Sequence, residues 1–469
     1  MKIYIDTIGC FKNREDSERA AGILEAAGHT ITDEAENADV LVLNTCGFIE
    51  DAKRESLARF FELAELKKAN NPYPKLIVTG CMSQRYADEL FEELPEADVI
   101  MGVNDYDRLP EILEGFGQRI LVSDGAEKIL TGPRKRLNSS ATAYLKIAEG
   151  CDNRCTYCAI PSIRGAYRSV PQEILIEEAK KLCDDGAKEL VIVAQDVSAY
   201  GIDICGEYRL TELLKDLCAK NEAAWIRLLY CYEERITDDL IEMIAEEEKI
   251  CKYIDIPLQH ISNRILKNMG RRSTRESIES CIKKLRDNIP GITIRTTFMT
   301  GFPGESDKDF EELMTFAKEQ SFERMGVFSF SPEEGTSAEM MPDQVPREIA
   351  EERRDILMRQ QLDISLENNR KLIGHDLKVL VERVEDIQTE IDGAEIDRTY
   401  AVRADDQGSK LCHYDNKQIV YIGRTESDAP EIDNEVVFSS DKTLETGSFC
   451  TVRITDAMDY DLVGEYRGS

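Results

Sequence analysis

The sequence predicts an α/β protein in three parts: an N-terminal parallel-sheet α/β domain, a central partial (β/α)6 barrel and a C-terminal antiparallel β-barrel of the oligonucleotide-binding kind. Three patterns support this prediction. Apolar strands first alternate with amphipathic helices, then six strand and helix repeats follow, and the final part contains only short alternating strands. With 469 residues, the chain is long enough for about three domains. The predicted bounds are 1–130 for the first domain, 131–142 for a linker, 143–370 for the second domain and 371–469 for the third.

In the N-terminal part, each of three predicted strands is followed by a cysteine. The strands are Lys2–Thr7, Val40–Thr45 and 75–79, with a predicted helix at 16–27, and the cysteines are Cys10, Cys46 and Cys81. Because the carboxyl ends of parallel strands meet at one crevice, these thiols can converge although they are far apart in sequence. A metal cluster with one open iron would suit such a triplet. The alternative is that the three cysteines are unrelated.

The central part begins after a polar, basic linker that contains Gly132 and Pro133. A helical pattern at 170–184 has Ser169 and Gln172 at capping-box spacing. Six units are fewer than the eight of a closed barrel, so we expect a partial, open barrel. The six predicted strands are 144–149, 189–194, 225–230, 253–258, 292–298 and 325–330.

Directly after the first of these strands, Cys151, Cys155 and Cys158 form a C-x3-C-x2-C triplet. Three thiolates this close can hold three irons of a four-iron cluster and leave the fourth iron free to bind a small molecule. The alternative is a structural zinc site, which needs a fourth ligand. Neither Cys nor His follows within the next twenty residues. The spacing therefore favours an iron–sulfur cluster.

Further polar motifs follow other strands of the predicted barrel, where barrel enzymes carry their chemistry. We predict that these residues contact a cofactor or the substrate. The alternatives are a structural histidine at His260 and a plain turn at Gly301 to Gly304. We interpret Arg271 and Arg272 as a solvated charge pair, with contact to the substrate as the alternative. The predicted contact residues are Gln195, Asp196, Gln259, His260, Gly301 and Glu305.

The C-terminal part is strongly acidic. Residues 371–469 contain 11 Lys or Arg and 22 Asp or Glu, so this part carries a formal charge of −11 in a chain whose charge is −32. Such a surface repels a phosphate backbone and attracts a basic protein. The predicted strands of this barrel are 377–384, 399–403, 419–422, 435–438 and 449–454.

The composition also indicates a compartment. The first residues alternate like a strand and lack the apolar core of a secretion signal, and no run of apolar residues has the length of a membrane span. Fourteen cysteines in a long chain without such a signal favour metal or redox chemistry over a disulfide framework. We therefore expect a cytoplasmic protein.

The six cysteines, together with Asn13 and the Asn44-Thr45-Cys46 and Thr79-Gly80-Cys81 motifs, resemble those of the radical S-adenosylmethionine (SAM) methylthiotransferases along nearly the whole chain. The resemblance implies two [4Fe-4S] clusters and SAM as cofactors, a TRAM domain as the C-terminal barrel, and partners that supply electrons and sulfur. It implies that Cys10, Cys46 and Cys81 hold an auxiliary cluster. It implies that Cys151, Cys155 and Cys158 hold the SAM-cleaving cluster, with Tyr157 as the aromatic residue before its third cysteine.

Within this family, the chain is similar to the branch that modifies an aspartate of protein twelve of the small ribosomal subunit. The similarity lies in residues 10–13, 194–201 and 423–433. It implies that a 5′-deoxyadenosyl radical takes hydrogen from the aspartate β-carbon, which then acquires a methylthio group. Two departures are Phe11, where a proline is common, and a longer stretch at 386–417. The alternatives are methylthiolation of an adenosine in transfer RNA and a noncatalytic iron–sulfur scaffold.

Overall fold

A computed structural model of the chain describes residues 1–69, 74–115, 119–123, 129–385, 399–401, 411–413 and 419–468. These residues form two six-stranded sheets, a closed five-stranded barrel and two small two-stranded sheets. No helix within the described ranges is both long and apolar enough to cross a lipid bilayer.

The N-terminal domain is a parallel sheet in the order β2-β1-β3-β4-β5-β6, as predicted. Its elements are β1 Lys2–Thr7, α1 Phe11–Ala26, β2 Thr30–Ile31, β3 Val40–Thr45, α2 Glu50–Ala69, β4 Lys75–Gly80, α3 Cys81–Arg85, α4 Ala87–Glu93, β5 Val99–Met101, α5 Leu109–Gly115 and β6 Ile120–Leu121. The three strands that precede the cysteines, β1, β3 and β4, are neighbours. Helix α1 begins earlier than the predicted 16–27, so Cys10 is its N-cap residue.

The central domain is a second parallel sheet, in the order β14-β13-β12-β11-β10-β7, which confirms the predicted partial barrel of six βα units. Its helices pack on the outside around an apolar core built from Leu, Ile, Val and Phe. Its elements are β7 Thr142–Lys146, β8 Ala148–Glu149, α6 Ile160–Arg164, β9 Arg168–Ser169, α7 Gln172–Asp184, β10 Glu189–Val193, α8 Ile202–Cys205, α9 Leu210–Lys220, β11 Trp225–Leu228, α10 Asp238–Glu246, β12 Ile250–Gln259, α11 Asn263–Asn268, α12 Arg275–Asn288, β13 Thr293–Thr300, α13 Asp307–Gln320, β14 Arg324–Ser329 and α14 Arg347–Lys371.

Two local predictions for this domain are wrong. The predicted strand 144–149 is divided, because Ala148 and Glu149 leave the main sheet and pair antiparallel with β9. The predicted capping box is absent, since Pro171 precedes the first residue of α7 and offers no side-chain cap. The Ser169 hydroxyl instead donates to Asp203, with 2.6 Å between the oxygens. A tertiary hydrogen bond thus replaces the local one that the spacing suggested.

The linker packs closely against α1. A Cβ on Gly22 would lie 2.5 Å from the backbone of Pro133 and Arg134, so only a glycine permits this approach. The Arg134 side chain is buried and pairs with Glu18 of α1 and Glu178 of α7. The basic residues predicted for a polar linker therefore join the first two domains.

The C-terminal barrel closes through β15, β18, β19, β21 and β20. Four of its five strand pairs are antiparallel, and the pair β19 and β21 is parallel. The predicted strand 399–403 is not part of it, because β16 pairs with β17, and the sequence-based prediction missed β21. Most of the long 386–417 stretch lies outside the described residues. The strands are β15 Asp376–Glu385, β16 Thr399–Ala401, β17 Leu411–His413, β18 Ile419–Arg424, β19 Val436–Ser440, β20 Phe449–Ala457 and β21 Leu462–Gly468.

Residues 425–433, which we call the docking loop, connect β18 and β19 and enter the partial barrel. The Arg424 guanidinium pairs with Glu189 of β10 at 2.6 Å, and the same carboxylate pairs with Arg227 of β11 at 2.7 Å. All three side chains are buried. At the last residue of the docking loop, the Asp433 carboxylate accepts a hydrogen bond from the Tyr253 hydroxyl, with 2.6 Å between the oxygens. The third domain therefore fills the interior of the second with paired charges.

Replacing Glu189 with Gln should lower the free energy of unfolding by about 3–5 kcal/mol, because two guanidinium groups would stay buried without their carboxylate. Trp225, the single tryptophan, contacts Phe449 of the barrel with ring centroids 4.7 Å apart, so its fluorescence reports on this contact. The measurement is the urea midpoint of that signal. Arg453→Met is the matched control: it breaks an exposed pair with Asp376 and should cost about 1 kcal/mol or less.

The same pair predicts a pH dependence. Burial by itself raises the pKa of Glu189, but Arg424 and Arg227 outweigh burial and lower the pKa to about 2, from 4.5. A lowered pKa in the folded state stabilises the fold above about pH 4.5, and this contribution is lost as the pH falls toward 2. The difference in urea midpoint between wild type and Glu189→Gln should therefore shrink across that window. A difference that is constant with pH would contradict the pairing.

Candidate functional site

The cysteines of the N-terminal domain meet at the carboxyl edge of its sheet. Gly9 has φ +106°, and a Cβ there would lie 2.7 Å from the Cβ of Cys46. The Asn13 amide donates to the carbonyls of Ile8 at 3.0 Å and Thr45 at 3.1 Å, which ties the Cys10 loop to the Cys46 loop. The glycine and the amide together bring two loops that are far apart in sequence into contact.

The third cysteine of this group, Cys81, contacts a side chain of the central domain. The Arg164 guanidinium lies 3.3 Å from the Cys81 sulfur and 2.7 Å from the Asn13 side-chain oxygen. Burial raises the pKa of the Cys81 thiol, and the positive charge of Arg164 opposes that rise. Burial also raises the pKa of Cys46, to about 12. Buried thiols of this kind become thiolates when a cationic metal compensates their charge.

Arg164 belongs to a buried group of charges between α1 and the central domain, which we call the interdomain ion cluster. It comprises Glu15, Asp16, Lys146, Glu149 and Arg164. Lys146 lies 2.9 Å from Glu15 and 2.9 Å from Glu149, and Arg164 lies 2.8 Å from Asp16. Removal of one partner from such a cluster costs about 3–5 kcal/mol, because its partners would stay buried and charged. The cluster fixes α1, and with it Cys10, against the central domain.

The second triplet lies on the loop between β8 and α6, the short helix that carries Arg164. Backbone hydrogen bonds shape the loop. The Cys151 N–H donates to the carbonyl oxygen of Gly165 at 3.1 Å, and the Cys158 N–H donates to the carbonyl oxygen of Cys155 at 3.1 Å. Burial raises the pKa of Cys151 to about 11 and of Cys158 to about 12. Among the described residues, no three His, Cys, Asp or Glu side chains surround a single-ion position.

A cavity of about 130 Å³ opens beside Cys155. The Tyr232 hydroxyl lies 3.8 Å from the Cys155 sulfur, and the Arg271 guanidinium lies 4.3 Å from the centre of the Tyr232 ring. The interpretation of Arg271 as a solvated residue is wrong, because it is buried and pairs with Glu233 at 3.4 Å. Its Nε and Nη1 atoms have no hydrogen-bond partner among the described residues. The lining is Asn153, Arg154, Cys155, Tyr232, Glu234, Gly270, Arg271 and Arg272.

Two of the predicted contact residues reach this region from the end of β10. Asp196 accepts from Asn153, which lines the cavity, at 2.9 Å and also pairs with Arg235. The Gln195 amide donates to Glu149 at 2.9 Å, and its oxygen has no partner among the described residues. Asp196 therefore positions the cavity wall, while Gln195 connects the mouth of the barrel to the interdomain ion cluster.

The other predicted residues lie at the ends of β12 and β13. Glu305 accepts from the Gly301 N–H at 2.7 Å and pairs with Arg353 of α14 at 2.7 Å. His260 is buried, with its Nε2 3.7 Å from Glu305. Gln259, at the end of β12, has φ +70°. Tyr157 of the triplet loop packs edge-on against Phe302 at 6.4 Å, which places this group next to the second triplet.

Several residues at the site were missed as functional candidates because their role depends on tertiary contacts. Arg164 stands in a sequence position without a motif, Asn153 lies between the first two cysteines of the triplet, and Tyr232 follows β11. Only its position soon after a predicted strand could have indicated Tyr232, and only its position inside the triplet could have indicated Asn153.

The chain is similar to known proteins along nearly its whole length. Three protein-family models match the chain: the Uncharacterized protein family UPF0004 at residues 2–102, the Radical SAM superfamily at 145–317 and the TRAM domain at 409–466. Proteins named ribosomal protein uS12 methylthiotransferase RimO are similar over 98–99% of both chains. The one from Desulforamulus reducens is 45% identical, and the one from Clostridioides difficile is 44% identical. The chain belongs to the RimO family.

Membership of the RimO family confirms the activity that the sequence indicated. The chain is a radical SAM transferase, a methylthiotransferase of the ribosomal-protein branch. The cofactors of the RimO family are SAM and two [4Fe-4S] clusters. Among solved structures, the radical SAM methyltransferase TsrM from Kitasatospora setae has a similar fold, with a TM-score of 0.51 at 12% identity over 70% of this chain and 72% of that one. The cobalamin-dependent SAM radical enzyme OxsB has a TM-score of 0.52 at 13% identity, over 76% of this chain and 56% of that one.

We expect His260 to stay uncharged at the pH of the cell. Burial lowers the pKa of His260 to about 3, and the more distant charge of Asp309 only partly offsets this effect. Nitrogen-15 chemical shifts of the imidazole, assigned by comparison with a His260→Asn variant, should not change between about pH 5 and 8. A titration with a midpoint near the ordinary histidine value would contradict the burial of this ring.

Proposed function

We propose that this chain attaches a methylthio group to the β-carbon of an aspartate in uS12, protein twelve of the small ribosomal subunit. The observation that carries the proposal is the connection between the two cysteine triplets. Arg164 ends the helix that follows Cys158, and its guanidinium contacts the sulfur of Cys81. One side chain thus joins the site for hydrogen removal to the site for sulfur transfer.

The residues present fit the proposed cofactors. Cys10, Cys46 and Cys81 would hold the auxiliary cluster, and Cys151, Cys155 and Cys158 would hold the SAM-cleaving cluster. Each triplet offers three thiols on loops at the ends of strands and so leaves one iron open. The unpaired Nε–H and Nη1–H groups of Arg271, beside Cys155, fit a ligand with an anionic group. We propose that SAM occupies this region, with Tyr157, Gln195, Asp196, Gln259, His260, Gly301 and Glu305 lining or supporting it.

When bound, these cofactors supply a radical that removes hydrogen from an unactivated carbon and a sulfur for transfer to that carbon. The side chains of this protein would bind and orient the cofactors and the substrate. The interdomain ion cluster holds the two triplets in one arrangement, Asp196 fixes Asn153 at the cavity, and Phe11 stacks on Tyr144 of β7 with ring centroids 4.4 Å apart. Preorganisation of this kind keeps a reactive species close to its target and away from water.

The proposed substrate is a basic ribosomal protein, and the charge of the chain suits it. Residues 371–469, which include the C-terminal barrel, carry −11 and would attract such a partner while they repel the phosphates of transfer RNA, the less favoured substrate. A reducing electron donor and a sulfur source complete the set of partners. A protein that acts on a ribosomal component would work in the cytoplasm.

The test is anaerobic reconstitution with iron and sulfide, followed by reduction and addition of SAM and a peptide that copies the target loop of uS12. Mass spectrometry should show a methylthio group on the aspartate. Modification of a transfer RNA instead of the peptide would replace the proposal with the other substrate. Absence of SAM cleavage with both clusters present would favour a noncatalytic scaffold.

Alanine at one cysteine of each triplet should separate the two clusters. Cys10→Ala should lose about half of the bound iron and all methylthio transfer, because the auxiliary cluster would lack a ligand. Cys155→Ala should also lose about half of the iron, and in addition SAM cleavage. Iron content and 5′-deoxyadenosine release measure the two effects. Exposed Cys205 is the matched control, and its alanine variant should behave like wild type. Methylthio transfer by Cys10→Ala would contradict the assignment.

A further inference from the structure

Lys12 extends from the N-terminal domain across the mouth of the partial barrel. It lies in the first turn of α1, two residues after Cys10, and its side chain is half-buried. The ammonium lies 4.1 Å from the centre of the Tyr230 ring and 3.5 Å from the Ala194 carbonyl oxygen. Ala194 follows β10 and Tyr230 follows β11, so Lys12 reaches the strand ends where the second triplet lies.

The ring under the ammonium is held in an unusual backbone conformation. Tyr230 has φ +60°, which is uncommon for a residue with a bulky side chain. Its N–H donates to the buried Asp255 carboxylate at 3.0 Å, which stabilises this conformation. Strain that the surroundings maintain at such a place is characteristic of ligand-binding positions. Lys12 therefore rests on a fixed surface.

Lys12 lacks a carboxylate partner within ion-pair distance among the described residues, in contrast to the cations around it. Lys146 and Arg164 pair with the acids of the interdomain ion cluster, and Arg271 pairs with Glu233. The chain has 91 Asp or Glu and 59 Lys or Arg, so acidic partners are abundant. The nearest polar contact of Lys12 is one long bond to a carbonyl. A half-buried ammonium in this state is ready to bind an anion.

The ammonium is within electrostatic reach of both triplets. Cys10 is two residues away on the same helix turn. The ammonium contacts Ala194 and Tyr230 at the strand ends of the partial barrel, the end at which the loop with the second triplet lies. An anion bound by Lys12 would lie between the two proposed clusters.

We propose that Lys12 binds the side-chain carboxylate of the aspartate that is to be modified. This inference rests on the proposed function. The β-carbon that loses hydrogen is bonded directly to that carboxylate, so an ion pair with Lys12 places the reacting carbon between the triplets. An amide or a nucleobase offers no negative charge to this ammonium. Lys12 thus selects an acidic side chain over asparagine.

SAM also carries a carboxylate, and the structure offers a different cation for it. Arg271 lines the cavity beside Cys155 and has two donors without a hydrogen-bond partner among the described residues. Lys12 lies in the first turn of the helix whose N-cap is Cys10, and its contacts, Ala194 and Tyr230, do not line that cavity. The two cations therefore suit two carboxylates, with Lys12 on the side of the auxiliary triplet, where the sulfur would be added.

The test compares wild type, Lys12→Met and Lys12→Arg in the reconstituted enzyme with S-adenosylhomocysteine present. Calorimetry measures the affinity for the uS12 loop peptide and for the same peptide with asparagine at the target position. Wild type should prefer the aspartate peptide by on the order of ten- to a hundredfold, the usual effect of a charged hydrogen bond. Lys12→Met should lose this preference, and Lys12→Arg should keep most of it. Binding of SAM, measured by equilibrium dialysis, should be the same in all three proteins.

Lys249→Met is the matched control. Lys249 is also half-buried and donates to two backbone carbonyls, of Cys218 and Asn221, each at 2.8 Å, but it lies before β12 at the other end of the barrel. This variant should bind both peptides like wild type. Iron content and the Trp225 unfolding signal verify that each variant is folded.

Each other outcome contradicts the inference in a specific way. Equal affinity of wild type for the two peptides, or a preference that persists in Lys12→Met, would exclude Lys12 as the selecting residue while methylthio transfer by wild type still supports the proposed function. Weaker SAM binding by Lys12→Met with an unchanged peptide preference would assign Lys12 to the carboxylate of SAM. If Lys12→Met loses iron, the wild-type peptide comparison and Lys12→Arg decide the result.

Discussion

The arrangement of the two triplets depends on the buried ion cluster between α1 and the central domain. Five charged side chains from two domains pair with one another there, and Arg164 extends from the cluster to the sulfur of Cys81. An apolar contact would hold the domains together equally well but would tolerate sliding. Charges buried in a low dielectric tolerate little displacement, since an unpaired one is costly. The distance between the two sites is therefore set by an interaction with strict geometry.

Buried ion pairs also hold the third domain in place, at the opposite end of the partial barrel. The docking loop brings Arg424 and Asp433 into the interior, where they meet Glu189, Arg227 and Tyr253. Glu431 of the loop also pairs with Arg14 of α1, three residues after Phe11. The C-terminal barrel thus contacts both other domains. Its docking loop closes the end of the partial barrel that lies opposite the mouth.

Many features of the fold could be predicted because they depend on local periodicity. All six strands of the central sheet and three of the six in the N-terminal sheet were predicted within a few residues, since apolar runs and intervening helical patterns are properties of short segments. The C-terminal barrel was harder. Strand β21 was missed and 399–403 was included, because short alternating segments look alike whether or not they join a barrel. The capping box was wrong for a related reason, since Ser169 had a tertiary partner in Asp203.

The sequence by itself determined the chemistry of this protein: the six cysteines, their spacing and their positions after strands indicate two open clusters, because ligand type and spacing are covalent properties of the chain. Only the tertiary structure decided which cations are neutralised and which are free. Arg271 and Lys12 are both single cationic residues in the sequence. In the structure, Arg271 is buried beside Cys155 and paired with Glu233, whereas Lys12 faces the space between the triplets and has no carboxylate partner among the described residues. Pairing of charges depends on contacts between residues far apart in sequence, and those contacts exist only once the domains have packed.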